Sequence, residues 1–137
     1  MKRDELNSLT NNSLGRYPVS KEKNKHEETA IFVNADAVCK AAAASGHYGA
    51  VVLTIPGFRS DLIELPPGCS FYPFTERFSF EENRHKLDGL GIECLKDEAA
   101  ALKDYLISEG LDVILRIHIE GKGRTSAYYV WDMIAHW

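Results

Sequence analysis

The chain has 137 residues, of which 45% are hydrophobic and 26% charged, and its formal net charge at pH 7 is −4. This length fits one ordinary domain, and the composition excludes a collagen-like or fully disordered chain. The acidic balance argues against a general nucleic-acid binder. Because no apolar run is long enough to span a membrane and the first residues lack a signal peptide's apolar core, we expect a cytoplasmic protein with no membrane or nucleic-acid partner.

The cysteine and histidine positions do not indicate a disulfide bond or a metal site. The three cysteines are widely spaced, and their odd number predicts reduced thiols. Neither a CxxC nor an HxxxH pair occurs, and the chain lacks a GxSxG nucleophile motif and a GK[ST] phosphate loop. We therefore expect no metal and no cofactor.

The first 28 residues differ from the rest of the chain. They are rich in charged and polar side chains, with only scattered apolar positions. Such a segment cannot bury enough surface to offset its ordering entropy. We predict a flexible N-terminal arm over residues 1–28, which could dock on a partner subunit, and a single α+β domain over residues 29–137.

The first predicted elements are a strand, a helix and a second strand. Residues 29–33 have the composition of a short strand. An alanine-rich run then predicts a helix over about 35–45, with Asn34 as its N-cap and Gly46 just beyond its end. Residues 48–55 are nearly all apolar and largely β-branched, which predicts a central strand covered on both faces.

The middle of the chain gives weaker signals. Pro56-Gly57 ends the second strand, and residues 62–65 and 70–74 are candidates for two short strands. Residues 75–95 combine a short alternating stretch with a turn signal, so we expect irregular or edge structure there.

The C-terminal third predicts a helix followed by two strands. The helix begins near Asp97 and ends at Gly110. Residues 112–120 and 126–137 each alternate between apolar and polar side chains, as half-buried strands do. The helix carries an apolar stripe formed by Ala99, Leu102 and Leu106.

The loop between the last two strands decides which side chains face the core. A two-residue loop on Lys122-Gly123 would place Asp132 opposite Val113, on the core side, without a partner. A three-residue loop avoids this and is favoured. Its pairs are Trp131 with Leu115, Tyr129 with Ile117, and Met133 with Val113.

The three-residue loop leaves a polar face on the other side of this hairpin. We expect Arg116 and Asp132 to form a cross-strand ion pair there. A solvated face with ion pairs is the commoner interpretation, and a binding site or partner surface is the alternative. The polar face consists of Arg116, His118, Glu120, Tyr128, Asp132 and His136.

The order of these elements predicts the fold class. Two helices alternate with strands that pair antiparallel. We therefore predict an α+β fold, a ferredoxin-like sandwich with two helices on an antiparallel sheet and a flexible N-terminal arm.

The segment that follows the predicted central strand is a candidate site. Phe58, Arg59, Asp61 and Glu64 bring an aromatic ring, a cation and two carboxylates together. Irregular segments at the ends of sheets are where binding sites are commonly built. A plain loop with a phenylalanine lid is the equally weighted alternative.

Two segments carry a resemblance to a known family. The run AASGHYGAV at residues 43–51 resembles the helix-to-strand junction of the phage S-adenosylmethionine lyases, formerly called SAM hydrolases. The run CLKDEAAAL at residues 94–102 resembles the start of that family's second helix. The closing hairpin is similar in placement, so the resemblance covers roughly residues 29–131 in element order.

The resemblance implies a ferredoxin-like fold, a homotrimer and a ligand held between subunits. It implies that Tyr48 lines the site near the sulfonium or the ribose. The family's glutamate follows an aromatic-basic pair, whereas Phe58-Arg59 is followed here by Ser60-Asp61. Either Asp61 or Glu64 therefore fills the role of the catalytic carboxylate. The substrate-binding residues implied with them are Phe58, over the adenine, Arg59 and Ser60.

The implied activity is cleavage of S-adenosylmethionine to methylthioadenosine and homoserine lactone, without a cofactor. In the host cytoplasm, if the protein is phage-encoded, this would deplete the cofactor of methyltransferases and restriction systems. The alternative is a small acidic, non-catalytic inhibitor or immunity-type protein that binds a basic partner surface. The acidic body and the absence of a catalytic motif support that alternative.

Overall fold

The structure is a computed structural model that describes residues 2–13, 19, 31–67, 69, 85–120 and 128–137. Short helical turns lie at residues 85–88 and at Ile92–Cys94. None of the described helices is long and apolar enough to cross a membrane. The main elements are α1 (Arg3–Asn11), α2 (Ile31–Ala44), β1 (Gly49–Pro56), α3 (Asp97–Ser108), β2 (Asp112–Glu120) and β3 (Tyr128–His136).

The three strands form an antiparallel sheet in the order β1-β3-β2. Helix α2 packs against β1, α3 packs against β2, and α1 packs against α2. The core between helices and sheet contains the aromatic side chains of β3 and the apolar stripe of α3. This is the predicted α+β class, and the layout is consistent with a small ferredoxin-like sandwich.

The hairpin of β2 and β3 confirms the predicted faces but not the predicted pairs. Trp131 and Met133 face the core together with Leu115 and Ile117. The register, however, pairs Leu115 with Met133 and Ile117 with Trp131, a shift of two residues from the prediction. A shift of two keeps every side chain on its face, so the burial argument alone cannot detect it. The predicted turn lies outside the described residues.

The apolar run at residues 48–55 forms a buried strand, as predicted, but not a central one. Among the described strands β1 lies at the edge, and the central position belongs to β3. The reason is that β3 pairs along its length with both neighbours and is buried on nearly all positions. A bulge between Val51 and Leu53 leaves Val52 as the extra residue of β1.

The predicted strand at residues 29–33 is wrong for residues 31–33, because helix α2 begins at Ile31, and residues 29–30 lie outside the described part of the chain. The β-branched residues there disfavour a helix only weakly, and packing of the helix on the sheet overrides that preference. The end of α2 agrees with the prediction. Gly46 has a φ of +91°, and the backbone N–H of His47 donates to the carbonyl of Ala42 at 2.9 Å.

The prediction of a flexible arm is wrong for residues 3–11, which form α1. Leu6 and Thr10 of this helix are fully buried. The Thr10 hydroxyl donates to the carbonyl of His47 at 2.7 Å and accepts from the Trp137 indole at 2.8 Å. Because these partners come from distant parts of the chain, local composition does not reveal them. The remaining arm residues, apart from 2, 12–13 and 19, lie outside the described part.

The predictions for the middle of the chain are partly wrong, partly confirmed and partly outside the described residues. Residues 62–65 do not form a strand; Ile63 makes a single bridge with Leu95. Residues 70–74 lie outside the described part of the chain, as do residues 75–84. The described residues 85–95 are irregular apart from their two short helical turns, as predicted.

Helix α3 agrees with its prediction. The stripe of Ala99, Leu102 and Leu106 is buried. Gly110 has a φ of +86°, and the N–H of Leu111 donates to the carbonyl of Leu106 at 3.1 Å. This hydrogen bond completes the glycine-terminated helix end that the sequence predicts.

Candidate functional site

One end of the sheet brings together the two groups of residues that the sequence singles out separately. There β1 and β2 end and β3 begins, so the β1 loop (residues 57–64) lies beside the polar face of the hairpin. The ring of Phe58 meets the ring of Tyr128 edge-to-face, with centroids 5.4 Å apart and planes at 63°. This contact joins the loop to the polar face.

Asp132 is the centre of the polar face. It is only 5% exposed, although it carries a carboxylate in the middle strand of the sheet. Its Oδ1 accepts a hydrogen bond from the Thr54 hydroxyl at 3.0 Å. Its Oδ2 lies 3.3 Å from Nη2 of Arg116 and 3.3 Å from Nδ1 of His118. The predicted ion pair of Arg116 and Asp132 is therefore present.

The strand register supplies these donors. Asp132 lies directly opposite Thr54 of β1 and Arg116 of β2. A buried carboxylate is costly unless hydrogen-bond donors and a cation replace its water. Thr54 and Arg116 donate to it from the two neighbouring strands, and Nδ1 of His118 lies 3.3 Å from it. In return, Asp132 holds the Arg116 side chain against the sheet.

His118 links Asp132 to a second carboxylate. Its Nε2 lies 3.0 Å from Oε1 of Glu120, while its Nδ1 faces Asp132. Carboxylates only accept hydrogen bonds, so the ring donates to both only when both nitrogens carry a proton. Glu120, His118 and Asp132 thus form a continuous polar row on one face of the sheet, with Glu120 opposite Tyr128.

The β1 loop is braced by its own ion pair. Nε and Nη2 of Arg59 donate to the two carboxylate oxygens of Asp61, each at 2.8 Å. This bidentate hydrogen bonding lowers the pKa of the Asp61 carboxyl to about 2. Lys96, just before α3, donates to the carbonyl of Ser60 at 3.0 Å. The loop is therefore held in one conformation although it is exposed.

Glu64 differs from Asp61 in its surroundings. Its backbone N–H donates to the carbonyl of Cys94 at 2.9 Å, which continues the bridge at Ile63. Its side chain is exposed and makes no hydrogen bond or ion pair with the described residues. Of the two candidate carboxylates, Glu64 is the one not engaged by a neighbouring cation.

Tyr48 lies at the other end of β1. Its hydroxyl donates to Oδ1 of Asn11 at 3.5 Å, and its carbonyl accepts from the N–H of Trp137 at 3.0 Å. Eight residues of extended strand separate it from the loop, a distance of roughly 25 Å. One chain therefore does not bring Tyr48 together with Phe58, Asp61 and Glu64.

The thiols of Cys39 and Cys94 are poor nucleophiles. Burial, reinforced by the nearby Asp36 carboxylate, raises the pKa of Cys39 to about 12. Burial also raises the pKa of Cys94. Within the described ranges, no three His, Cys, Asp or Glu side chains lie close enough to hold a metal ion.

Sequence reasoning missed two members of this site. Thr54 appeared only as part of a buried strand, and its role depends on the β1–β3 register. Tyr128 was placed on the polar face, but its contact with Phe58 joins residues 70 positions apart. A threonine inside an otherwise apolar strand is the only available signal, because it requires a hydrogen-bond partner.

The first prediction concerns the buried carboxylate. Replacing Asp132 with asparagine keeps the shape but removes the charge that Arg116 and His118 face. We expect a loss of about 1–3 kcal/mol in the free energy of unfolding, less than for a fully buried pair because Arg116 is more than half exposed. Urea unfolding measures this. Asp112→Asn, which removes the charge from an exposed ion pair with Arg3 on the same face, is the control and should cost less than about 1 kcal/mol.

A double-mutant cycle with Arg116→Met measures how much the interaction between Arg116 and Asp132 contributes to the free energy of unfolding, apart from the other effects of each substitution. We expect the Arg116→Met change to cost less stability in the Asp132→Asn background than in the native chain. Equal costs in both backgrounds, or an Asp132→Asn variant no less stable than the control, would contradict the role given to Asp132.

The second prediction concerns pH. Because Arg59 lowers the pKa of Asp61 below its ordinary value of 3.8, to about 2, their interaction is fully present above the ordinary pKa. The interaction between Arg59 and Asp61 is lost as the pH falls through the lowered pKa of Asp61. An NMR titration of the Asp61 carboxyl carbon should have its midpoint near 2 in the native chain.

Arg59→Gln should move that midpoint back towards 3.8, since the hydrogen bond from Arg59 is the main cause of the shift. Lys96→Gln removes only a minor charge effect and should leave the midpoint nearly unchanged. A native midpoint at the ordinary value would show that the bidentate pair does not form in solution.

Comparisons with known proteins identify no similar protein. The chain matches no protein-family model, no curated protein and no solved structure at a significant level.

Proposed function

We propose that this protein cleaves S-adenosylmethionine to methylthioadenosine and homoserine lactone. The observation that carries the proposal is the braced β1 loop, which presents an aromatic ring and carboxylates immediately after a buried strand. The resemblance to the phage lyases calls for such a loop at this point in the chain. The Arg59–Asp61 pair and the hydrogen bond from Lys96 to Ser60 support it, because they hold the loop ready for a ligand.

The chemistry of this reaction needs few protein groups. A carboxylate oxygen of the methionine part attacks its own γ-carbon and forms the lactone C–O bond. The C–S bond breaks, and its electron pair neutralises the sulfonium to give the thioether of methylthioadenosine. Opposite charges cancel in the transition state, so a site that excludes water and folds the substrate accelerates the step. No protein nucleophile is required.

Among the loop carboxylates, we assign ligand binding to Glu64 and loop bracing to Asp61. Asp61 is already engaged by Nε and Nη2 of Arg59, each at 2.8 Å. Glu64 is exposed and makes no ion pair with the described residues, so it is available for the ammonium group of the substrate or for an ordered water. Phe58, 53% exposed, supplies an apolar surface for the ligand.

Tyr48 enters this proposal through a second copy of the chain. Since β1 separates it from the loop by roughly 25 Å, a site that uses both must take the tyrosine from one subunit and the loop from another. The homotrimer implied by the resemblance would provide such contacts. Closure of the site by a second subunit would also exclude water, as the reaction requires.

The proposed activity has a direct test. Purified protein is incubated with S-adenosylmethionine, and methylthioadenosine is followed by chromatography. We expect product well above the spontaneous background, and none from S-adenosylhomocysteine, whose neutral sulfur is a poor leaving group. Product at the background rate would reject the lyase and favour the non-catalytic binding protein.

Two matched variants test the assignment of the carboxylates. Glu64→Gln should lower kcat/KM roughly 10- to 150-fold, the effect of losing one hydrogen bond to a charged ligand group. Glu98→Gln, at an exposed position in the first turn of α3, should leave it unchanged. Full activity in the Glu64→Gln variant would remove Glu64 from the site without affecting the proposed reaction.

A further inference from the structure

Strand β2 leaves one long side of the sheet open. It pairs with β3 on one side, and no strand of the described residues pairs with it on the other. The N–H of Gly57 donates to the carbonyl of Tyr129 at 2.8 Å, so the odd-numbered residues of β3 direct their backbone groups towards β1 and the even-numbered ones towards β2. The even-numbered residues of β2 lie opposite the latter. Val113, Leu115 and Ile117 therefore direct their N–H and C=O groups to the open edge.

Exposed apolar side chains lie on both sides of this edge. Ile114, on the polar-face side of β2, is 47% exposed, and Ile107 of α3 is 46% exposed. Tyr105 marks the side of α3 that faces α2, because its hydroxyl donates to Asp36 at 2.9 Å. Ile107 follows two residues later, about 200° around the helix, and so lies on the opposite side. Since α2 packs against β1 and α3 against β2, that opposite side faces the open edge.

The core side of the edge is also only partly covered. Leu115 and Ile117 are half-buried, whereas their partners on β3, Met133 and Trp131, are buried. An edge strand with unpaired backbone groups and apolar side chains on both faces is a template for a further strand. A strand added beside β2 would satisfy the backbone groups and cover these side chains.

The sequence of β2 suits pairing with a second copy of itself. Asp112, Ile114 and Arg116 alternate along one face as an anion, an apolar residue and a cation. Antiparallel pairing of two β2 edges about a two-fold axis at Ile114 places the two isoleucines opposite each other. It also places Asp112 of each copy opposite Arg116 of the other. Val113 and Leu115 then form the hydrogen-bonded pairs across the axis, as the direction of their backbone groups requires.

Both charged residues have a partner in their own chain and room for another. Oδ2 of Asp112 lies 3.5 Å from Nη2 of Arg3, and Nη2 of Arg116 lies 3.3 Å from Oδ2 of Asp132. The Asp112 and Arg116 side chains are nevertheless 69% and 53% exposed. A guanidinium group has five N–H donors, so one contact does not exhaust it. Pairing two copies would give a row of charges that alternates in sign across the interface.

Other registers are less complementary. An axis at Leu115 would place Ile114 opposite Arg116. An axis at Arg116 would place the two arginines opposite each other and Asp112 opposite Glu120, and like charges directly opposite are destabilising. The side chains therefore favour the axis at Ile114.

We propose that the open edge of β2 is an interface for a second copy of this chain, paired antiparallel about a two-fold axis at Ile114. The described strands of the two copies join into one continuous sheet. Because the axis is perpendicular to the sheet, the two α3 helices lie side by side, with Ile107 of each facing the other copy. This contact is separate from the subunit contact of the proposed function, which involves Tyr48 and the β1 loop. If both contacts form, the β2 edge joins two trimers; if only this one forms, the assembly is a dimer.

Sedimentation equilibrium of the full-length protein measures the mass of the assembly and its dissociation constant. We expect an assembly with an even number of chains. Ile114→Lys places two like charges face to face on the axis, so it should raise the dissociation constant at least about 10-fold and halve the mass at concentrations between the two constants. Asp112→Lys, opposite Arg116 of the second copy, should act in the same direction.

Glu98→Lys is the matched control. It makes the same charge change at an exposed position of α3, seven residues before Tyr105 and so on the side away from the open edge. It should leave the dissociation constant unchanged, and circular dichroism checks that every variant is folded. A monomeric native chain, or an assembly whose mass neither Ile114→Lys nor Asp112→Lys reduces, would overturn the proposal.

An engineered cysteine tests the register. In Ile114→Cys the two thiols face each other in a non-hydrogen-bonded pair, whose Cα atoms are about 4.5 Å apart, within the range that a disulfide spans. Mild oxidation should therefore link most of this variant into dimers on a non-reducing gel. Glu98→Cys carries the same native thiols and should remain unlinked. Linking of Ile114→Cys no greater than that of Glu98→Cys would also overturn the proposal.

Discussion

The need to satisfy one buried carboxylate shapes the whole sheet. Asp132 lies in the central strand, where both neighbours must supply its hydrogen-bond donors. Thr54 from β1 and Arg116 from β2 do so because the two ladders place them directly opposite it. The strand register therefore determines which side chains of the polar face contact Asp132. A one-residue shift of the β1 ladder would replace Thr54 with an apolar side chain opposite Asp132, and a one-residue shift of the β2 ladder would do the same to Arg116.

The fold could be predicted where the controlling interactions are local. Glycine-terminated helix ends at Gly46 and Gly110 and the alternating faces of the last hairpin follow from neighbouring residues. The hairpin register did not follow, since a two-residue shift leaves both faces unchanged. Helix α1 was missed because its burial depends on α2 and on Trp137, 127 residues away from Thr10.

In the candidate site, too, the residues that are neighbours in the sequence could be predicted, and the contacts between distant residues could not. The loop residues Phe58 to Asp61 could be identified as candidate site residues from the sequence. An aromatic ring and opposite charges directly after a buried strand are neighbours along the chain, so the pattern is visible without the structure. Their contact with Tyr128 could not be selected, since it depends on how β3 crosses the end of β1. The separation of Tyr48 from this loop also needed the structure. Under the proposed function, a site that uses both Tyr48 and this loop would need two copies of the chain.

The most direct test of this account asks whether two copies share one site. Tyr48→Phe and Glu64→Gln variants, each expected to be at least about 10-fold less active than the native chain, are co-expressed so that mixed assemblies form. If the tyrosine and the carboxylate come from different subunits, about a quarter of the sites in a random mixture regain both native residues, and methylthioadenosine formation should recover to that level. A mixture no more active than its separate components would contradict the shared site.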